Sequence, residues 1–476
     1  MNLGIDLGTG SVKAALVADD GYVVARASQP YSSRSPHPGW VEIDPRTWLS
    51  ATSTVLDVID EGDSTGVTAV GFSGQMHGVV LVDEHLVPVR PAILWADTRS
   101  GEQAARMNAD LGPELLARLG SPAVAGFAAT TLAWLREHEP ESLARARWAL
   151  QPKDYLRAAL GGPLATDPSD ASGTLLYDVV DGAWSPQAIA WTGIDASLLP
   201  PVMPSTQQTG HVRVEKREAP CAIGAADTAA ALTGLGLGVG EGFIAVGTGA
   251  QVVRVMDAPV LDAHLRTHTF CSSGAHGEGW YRIGAVQSGG LALSAALAML
   301  GASVEEAARA LGEGVRADDP IFSPYLSGER TPFMDSQLRG AWVGMTLATD
   351  RAAMLRSVME GVAQAVALGV AAVDESGEPM PDVIPLIGGG TQDPAFQQLL
   401  ADCTGHTLGI AEARDSAVVG AACLAAGVAR NPHRIALTAE VTPYRESVTL
   451  LAERRARMVD IVRATQADGV TGGGRS

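Results

Sequence analysis

Basic residues are in short supply. In 476 residues, 34 lysines and arginines face 53 aspartates and glutamates, for a formal net charge of −19. Nucleic acid and anionic membrane surfaces both call for a basic face, so neither is an expected partner. Cysteine is scarcer still: Cys221, Cys271, Cys403 and Cys423 are the only four, and none form a C-x-x-C pair. No apolar leader follows Met1. Reduced thiols in the cytoplasm are the expected state. Long apolar runs are also lacking. The least polar stretch, residues 221–240, is mostly Ala and Gly and is interrupted by Asp227, so it reads as buried strand and helix rather than a membrane span. His264, His268 and Cys271 have a spacing that could suggest zinc, but no fourth ligand lies nearby and the segment reads as loop leading to strand.

What remains is ordinary folded composition, 46% hydrophobic and 18% charged, in a chain long enough for roughly two to four domains. The opening residues predict a β-meander over 3–7, 12–17 and 23–27. Strands are also expected at 67–72, 79–82 and 92–95, and helices at 53–60, 99–111, 131–138 and 155–160. A polar break, residues 205–220, suggests a division of the chain into 1–218, 219–440 and a terminal helix with a flexible tail, 441–476. The later part alternates: helix 353–374, strand 383–387, helices 395–403 and 417–426, and an amphipathic helix 449–464.

Two stretches resemble each other. Leu7-Gly8-Thr9-Gly10 and Val246-Gly247-Thr248-Gly249 each join two strands, as a duplicated fold would leave them. Glycines let backbone N–H groups approach oxygen atoms closely, so two such hairpins facing each other would grip a triphosphate. The first copy carries Asp6 where the second has Ala245. A carboxylate on a buried strand end is costly unless paired or metal-linked, and one Asp with nucleotide phosphates suits Mg²⁺. A salt bridge from Asp6 to Lys13 is the alternative; Lys13 could equally reach phosphates. Asp227 stands between a short strand and an Ala-rich helix, where it could cap the helix or accept a hydroxyl proton. Gly388-Gly389-Gly390 turns a strand into a helix, a common phosphate site. His77, beside Gln75 and Met76, sits just past a strand end, and Asp97 with Arg99 could be a plain salt bridge.

Taken in order, "GIDLGTGSVKA", "GQMHG", "RPAILWADTR", "PKDYLR", "GAADTAA", "GTGA", "YLSGERTP", "LIGGGTQDP" and "DSAVVGAA" resemble the FGGY carbohydrate kinases over nearly the whole chain. The resemblance implies two actin-like (RNase H-like) α/β domains, each a mixed five-stranded sheet flanked by helices, with the active site in the cleft between them. It implies that Asp227 is the catalytic base, that Gln75, Met76 and His77 bind the sugar, and that Asp6 holds Mg²⁺ through water. Gly8, Thr9, Gly10, Lys13, Gly247, Thr248, Gly249, Gly388, Gly389, Gly390 and Gln392 would bind ATP. The acceptor implied is a ketopentose, D-xylulose foremost, with ribulose, L-xylulose or a deoxyxylulose as alternatives; a homodimer is common in the family. Two other classes, a non-catalytic sugar sensor and an actin-like ATPase, are disfavoured because Asp6 and Asp227 are both present and because "GQMHG" has no use without a sugar. The sequence departs from the family pattern where Thr228 follows Asp227 and where a lysine is missing near Thr131. The roles of Glu329-Arg330 and Lys153-Asp154 stay open at this level.

Overall fold

The computed structural model describes residues 1–61, 66–214, 217–274, 279–413 and 415–472. Residues 215–216 of the polar break and the end of the tail, 473–476, lie outside these.

Two seven-stranded mixed sheets organise the molecule. The first contains β1 (Asn2–Leu7), β2 (Ser11–Val17), β3 (Val23–Pro30), β4 (Ala69–Gly74), β5 (Gln208–Val214), β6 (Arg217–Ala222) and β7 (Ala225–Ala226). The second contains β8 (Gly242–Val246), β9 (Ala250–Met256), β10 (His268–Cys271), β11 (Trp280–Val286), β12 (Val383–Ile387), β13 (Thr407–Ala411) and β14 (Leu437–Val441). In the first, β3, β2 and β1 pair antiparallel, and β4 then β6 follow in parallel. In the second, β11, β9 and β8 pair antiparallel, and β12 then β13 follow in parallel. The duplication glimpsed in two short turns is therefore a duplication of whole sheets. Each has the expected five-strand core. Beyond it, β5 and β14 add antiparallel outer strands at matching edges, β10 extends the other edge of the second sheet, and β7 forms a short pair with β4.

Alternation explains the first sheet: Leu3, Ile5 and Leu7 are fully buried on one face of β1. Helix α1 (Arg46–Glu61) covers β2 and β3. Its buried Trp48, Ala51, Val55, Leu56 and Ile59 follow a period of three and four. This helix starts seven residues earlier than the expected 53, because Trp48 supplies an apolar anchor one turn upstream. In the second half α2 (Arg351–Glu375) packs on β9 and β11. It is long and apolar enough to cross a membrane, but 83% of its apolar window is buried inside the protein.

The polar break behaves differently from a linker. It contains the β5–β6 hairpin, and β6 crosses the 218/219 division, joining the first sheet where Cys221 pairs with Val70. Ala225 and Ala226 also pair with Ser73 and Gly74, so Asp227 is carried on the first sheet and not, as expected, on the second half. A polar composition marked a half-exposed edge, not an end of pairing.

One helix ties the halves together. Ser416–Ala425, from the second half, lies against β1, β4 and the helix Asp227–Leu235. A Cβ on Gly71 would fall 1.8 Å from the Ala421 carbonyl oxygen, and one on Gly420 would fall 1.8 Å from that of Ala230. Only glycine permits backbones this close.

Candidate active site

Three neighbouring strand ends build the site. Leu7 and Gly74 are parallel partners, as are Gly74 and Ala226. The residues that follow each, Gly8-Thr9-Gly10, Gln75-Met76-His77 and Asp227, therefore emerge side by side at one sheet edge. Thr9, Gln75, Met76, His77 and Asp227 line a cavity of about 150 Å³. Its opposite wall comes from the second half, with Gln251, His268, Phe270, Tyr281 and Arg330.

Asp227 is the first residue of its helix rather than the cap; Ala226 occupies the cap position. Its Oδ1 accepts the Thr228 backbone N–H at 2.6 Å and the Thr228 hydroxyl at 3.1 Å. Thr228, which departs from the family pattern, thus fixes one carboxylate oxygen. Burial, and then the charge of nearby Asp6, push the Asp227 carboxyl up to about 6 against those two donors. A carboxylate so tuned can take up a proton near neutral pH.

Asp6 pairs across the sheet with Lys13 and Ser73. Its Oδ1 is buried without a hydrogen-bond partner, and burial raises its pKa although Ser73 and Lys13 pull it down. The expected alternative ion pair to Lys13 is not made: Lys13 Nζ lies 2.9 Å from Asp415 instead. A buried carboxylate oxygen left over in this way suits a hard, hydrated cation. Among the described residues no group of three His, Cys, Asp or Glu is arranged around a single point, so any such cation would take most of its ligands from water and phosphate.

His77 adopts a positive φ of 72°, stacks on Phe127 at 3.7 Å and approaches the Gly173 carbonyl through Nδ1 at 2.6 Å. A carbonyl can only accept, so Nδ1 carries the proton and Nε2 is left as an acceptor. Burial drives the ring down to about 3, and the Arg330 cation pushes in the same direction, so His77 is neutral. Gln75 donates to the Gly8 carbonyl at 3.3 Å, and its own Oε1 is buried and unpartnered.

The second hairpin stands on a different base. The Gly290 N–H donates to the Gly247 carbonyl at 2.8 Å and Leu291 N–H to that of Thr248 at 2.9 Å. Ala245 and Ile387 are parallel partners, which sets Gly388-Gly389-Gly390 beside Gly247-Thr248-Gly249. Gly388 has φ 106°, and a Cβ there would sit 2.3 Å from the Val246 carbonyl oxygen, whereas Gly389 faces open space. Gln392 is exposed just beyond. These glycines are brought together, but they do not line the cavity described above.

Several residues outside the expected set support or complete the site. Trp95 Nε1–H donates to the Thr9 hydroxyl at 2.9 Å. The Tyr281 hydroxyl points at the Met76 sulfur, 3.7 Å away. Glu329 accepts backbone N–H groups of Gln287, Ser288 and Arg330, bracing the turn under the second hairpin, while its neighbour Arg330 faces the cavity. Lys153 is fully buried, 2.7 Å from Asp154, 2.9 Å from Asp167 and 3.0 Å from Asp170. Ser169, which donates to Asp167, accepts the Ala226 N–H at 2.9 Å, so this charged cluster anchors the residue before Asp227. Asp97 and Arg99 form a buried ion pair at 2.7 Å away from the cavity. His268, one of the three residues of the apparent zinc spacing, lines the cavity instead.

The model of the N-terminal domain of the FGGY family of carbohydrate kinases matches residues 1–234, and that of the C-terminal domain matches residues 242–429. A xylulose kinase of Klebsiella pneumoniae is 35% identical over 420 residues, covering 86% of each chain. One from Escherichia coli K12 is 32% identical over 444 residues, covering 91% of each. A crystal structure of a xyloylose kinase from Brucella ovis superposes with a TM-score of 0.91 at 31% identity, covering 98% of this chain and 99% of the other.

Proposed function

The chain belongs to the FGGY family of carbohydrate kinases, a sugar phosphotransferase with ATP as phosphoryl donor, and from that premise we propose that its acceptor is D-xylulose and its product D-xylulose 5-phosphate. The observation that carries this reading is the shared cavity of Asp227, Gln75, Met76 and His77, walled by both halves. It is a small space with convergent polar groups, of a size that suits a sugar and not a nucleotide. The relatives named as xylulose kinases supply the choice of ketopentose.

Asp227 receives the terminal hydroxyl of the sugar on the oxygen that Thr228 leaves free. The hydroxyl oxygen bonds to the γ-phosphorus as the bond from that phosphorus to the β,γ-bridging oxygen breaks. ADP departs with that electron pair, and the hydroxyl proton passes to the Asp227 carboxylate. Phosphoryl transfer has a loose transition state, so alignment and charge matter more than base strength. Gly8 to Gly10, Gly247 to Gly249 and Gly388 to Gly390 offer backbone N–H groups to the phosphates, with Lys13 and Gln392 at the margins. Asp6, with Thr9 and Thr248, would hold Mg²⁺ through water, which when bound spreads the phosphate charge. Closure of the cavity between the halves keeps water from replacing the sugar as acceptor. We place the enzyme in the cytoplasm, where ATP is available and its four free, buried cysteines stay reduced.

ADP release measured with D-xylulose, D-ribulose, L-xylulose, 1-deoxy-D-xylulose and no sugar tests the assignment. D-xylulose should give the highest kcat/KM. A higher value with any other member of the panel, or release that does not depend on sugar, would overturn it.

A further inference from the structure

Most polar groups in the acceptor cavity are acceptors. Gln75 Oε1 is unpartnered, and His77 presents Nε2. The Ser121 hydroxyl donates to the Pro122 carbonyl at 2.7 Å, so His268 Nδ1, 2.7 Å away, must be the donor to Ser121. That leaves His268 Nε2 as an acceptor, buried and without a partner. Sugar hydroxyls can donate to every one of these. A carbonyl cannot, because it has no proton to give.

Donors are fewer, and several are already engaged. Trp95 donates to Thr9, Thr228 to Asp227, Tyr281 to Met76 and Gln75 to Gly8. The Thr9 hydroxyl and the Gln251 amide remain as neutral donors, so the charged donor is the distinctive one. Arg330 is the one lysine or arginine in the cavity wall. Its guanidinium makes no ion pair or hydrogen bond among the described residues, and lies 5.8 Å from the Trp95 ring centroid and 5.9 Å from that of Phe127. Its neighbour Glu329 is turned away to the backbone of residues 287, 288 and 330. A half-buried cation without an ion pair among the described residues can take an acceptor from outside.

Its position is also informative. The Arg330 guanidinium faces Phe127, the ring that stacks on His77 at 3.7 Å and lies 6.0 Å from His268. It therefore stands on the side of the cavity formed by these rings, while Asp227 enters from the helix that follows β7. In an open-chain 2-ketopentose the terminal hydroxyl and the carbonyl lie toward opposite ends of the carbon chain.

We propose that Arg330 is a specificity-determining residue that donates to the carbonyl oxygen of the bound ketose and so selects 2-ketoses over polyols of the same length. This rests on the ketose kinase reading of the cavity, and binding separates the two claims because it needs no turnover. Calorimetry with D-xylulose and with xylitol, the same chain with its carbonyl reduced, is done on wild type, Arg330→Met and Arg330→Lys. A hydrogen bond from a charged donor predicts that wild type binds D-xylulose about 30-fold tighter than xylitol. Arg330→Met should shrink that ratio to about threefold or less while leaving xylitol affinity nearly unchanged, and Arg330→Lys should restore part of it. A ketose preference that survives in Arg330→Met, or its absence in wild type, overturns the proposal. Retained preference in wild type without sugar-dependent ADP release would sink the kinase reading and leave Arg330 as the carbonyl reader.

Discussion

The two halves present the same slot and fill it differently. In the first, β1 and β4 are parallel neighbours that end in Gly8-Thr9-Gly10 and Gln75-Met76-His77. In the second, β8 and β12 are parallel neighbours that end in Gly247-Thr248-Gly249 and Gly388-Gly389-Gly390. The first hairpin sits beside Gln75, Met76 and His77 and beside Asp6. The second has Ala245 in place of that acid, and its neighbouring turn is three glycines. A bare turn exposes N–H groups, which suit phosphate; a turn with Gln, Met and His shapes a cavity. The two halves share a frame, and the difference between them lies in the side chains it carries.

The contrast can be broken at its strongest point. Asp227→Ala should lower kcat with sugar by about 10³-fold, while ATP affinity measured by calorimetry stays within about threefold. Near-normal turnover would remove Asp227 from the chemistry.

Asp6→Asn should cost about 10²-fold in kcat at saturating magnesium. It should also sharpen the view of how the two acids interact. Asp227 must be ionised to accept a proton, and its pKa is raised to about 6 partly by Asp6. Sugar kcat/KM should therefore fall as pH drops through about 6 in wild type, and the same limb should lie at lower pH in Asp6→Asn. An unmoved limb would mean that the Asp6 charge does not reach Asp227.

The slots themselves can be separated by a paired substitution. His77→Leu should raise the sugar KM about 30-fold with little change in that for ATP, since it removes an acceptor and the Gly173 contact. Gly389→Ala, where a Cβ meets nothing, should instead raise the ATP KM severalfold and spare the sugar. If both act on the same substrate, the division of labour between the halves is wrong.

The smallest effect tests the missing acid. Ala245→Asp restores the first hairpin's pattern in the second, and a carboxylate facing phosphates should weaken ATP about twofold rather than improve catalysis. Higher activity would show that the second copy could also have held the metal.

Local patterns were legible without coordinates. The meander, α2, β12 and the two Gly-Thr-Gly turns follow from alternation, helical period and glycine, all of which act over a few residues. Asp227, Gln75 and His77 stood out as polar residues at the ends of apolar runs, but their roles, with that of Met76, came only from the resemblance to the family. The missed members of the site gave no such signal. Tyr281 and Phe127 look like ordinary core, His268 looked like part of a zinc spacing, and Arg330 lay in a motif whose role stayed open; only the meeting of the two halves brings them to one cavity. The division at 218/219 failed because an edge hairpin and a linker share a polar composition.

By itself, then, the order of residues determined the strands, the turns and the pair of acids, since each depends on short-range sterics and solvation. Tertiary structure alone decided that Lys13 reaches Asp415, that Lys153 anchors the strand before Asp227, and that the Arg330 guanidinium, without an ion pair among the described residues, faces the cavity. Those facts depend on which distant groups share a low-dielectric space, and only the packing of one sheet against the other half of the chain sets that.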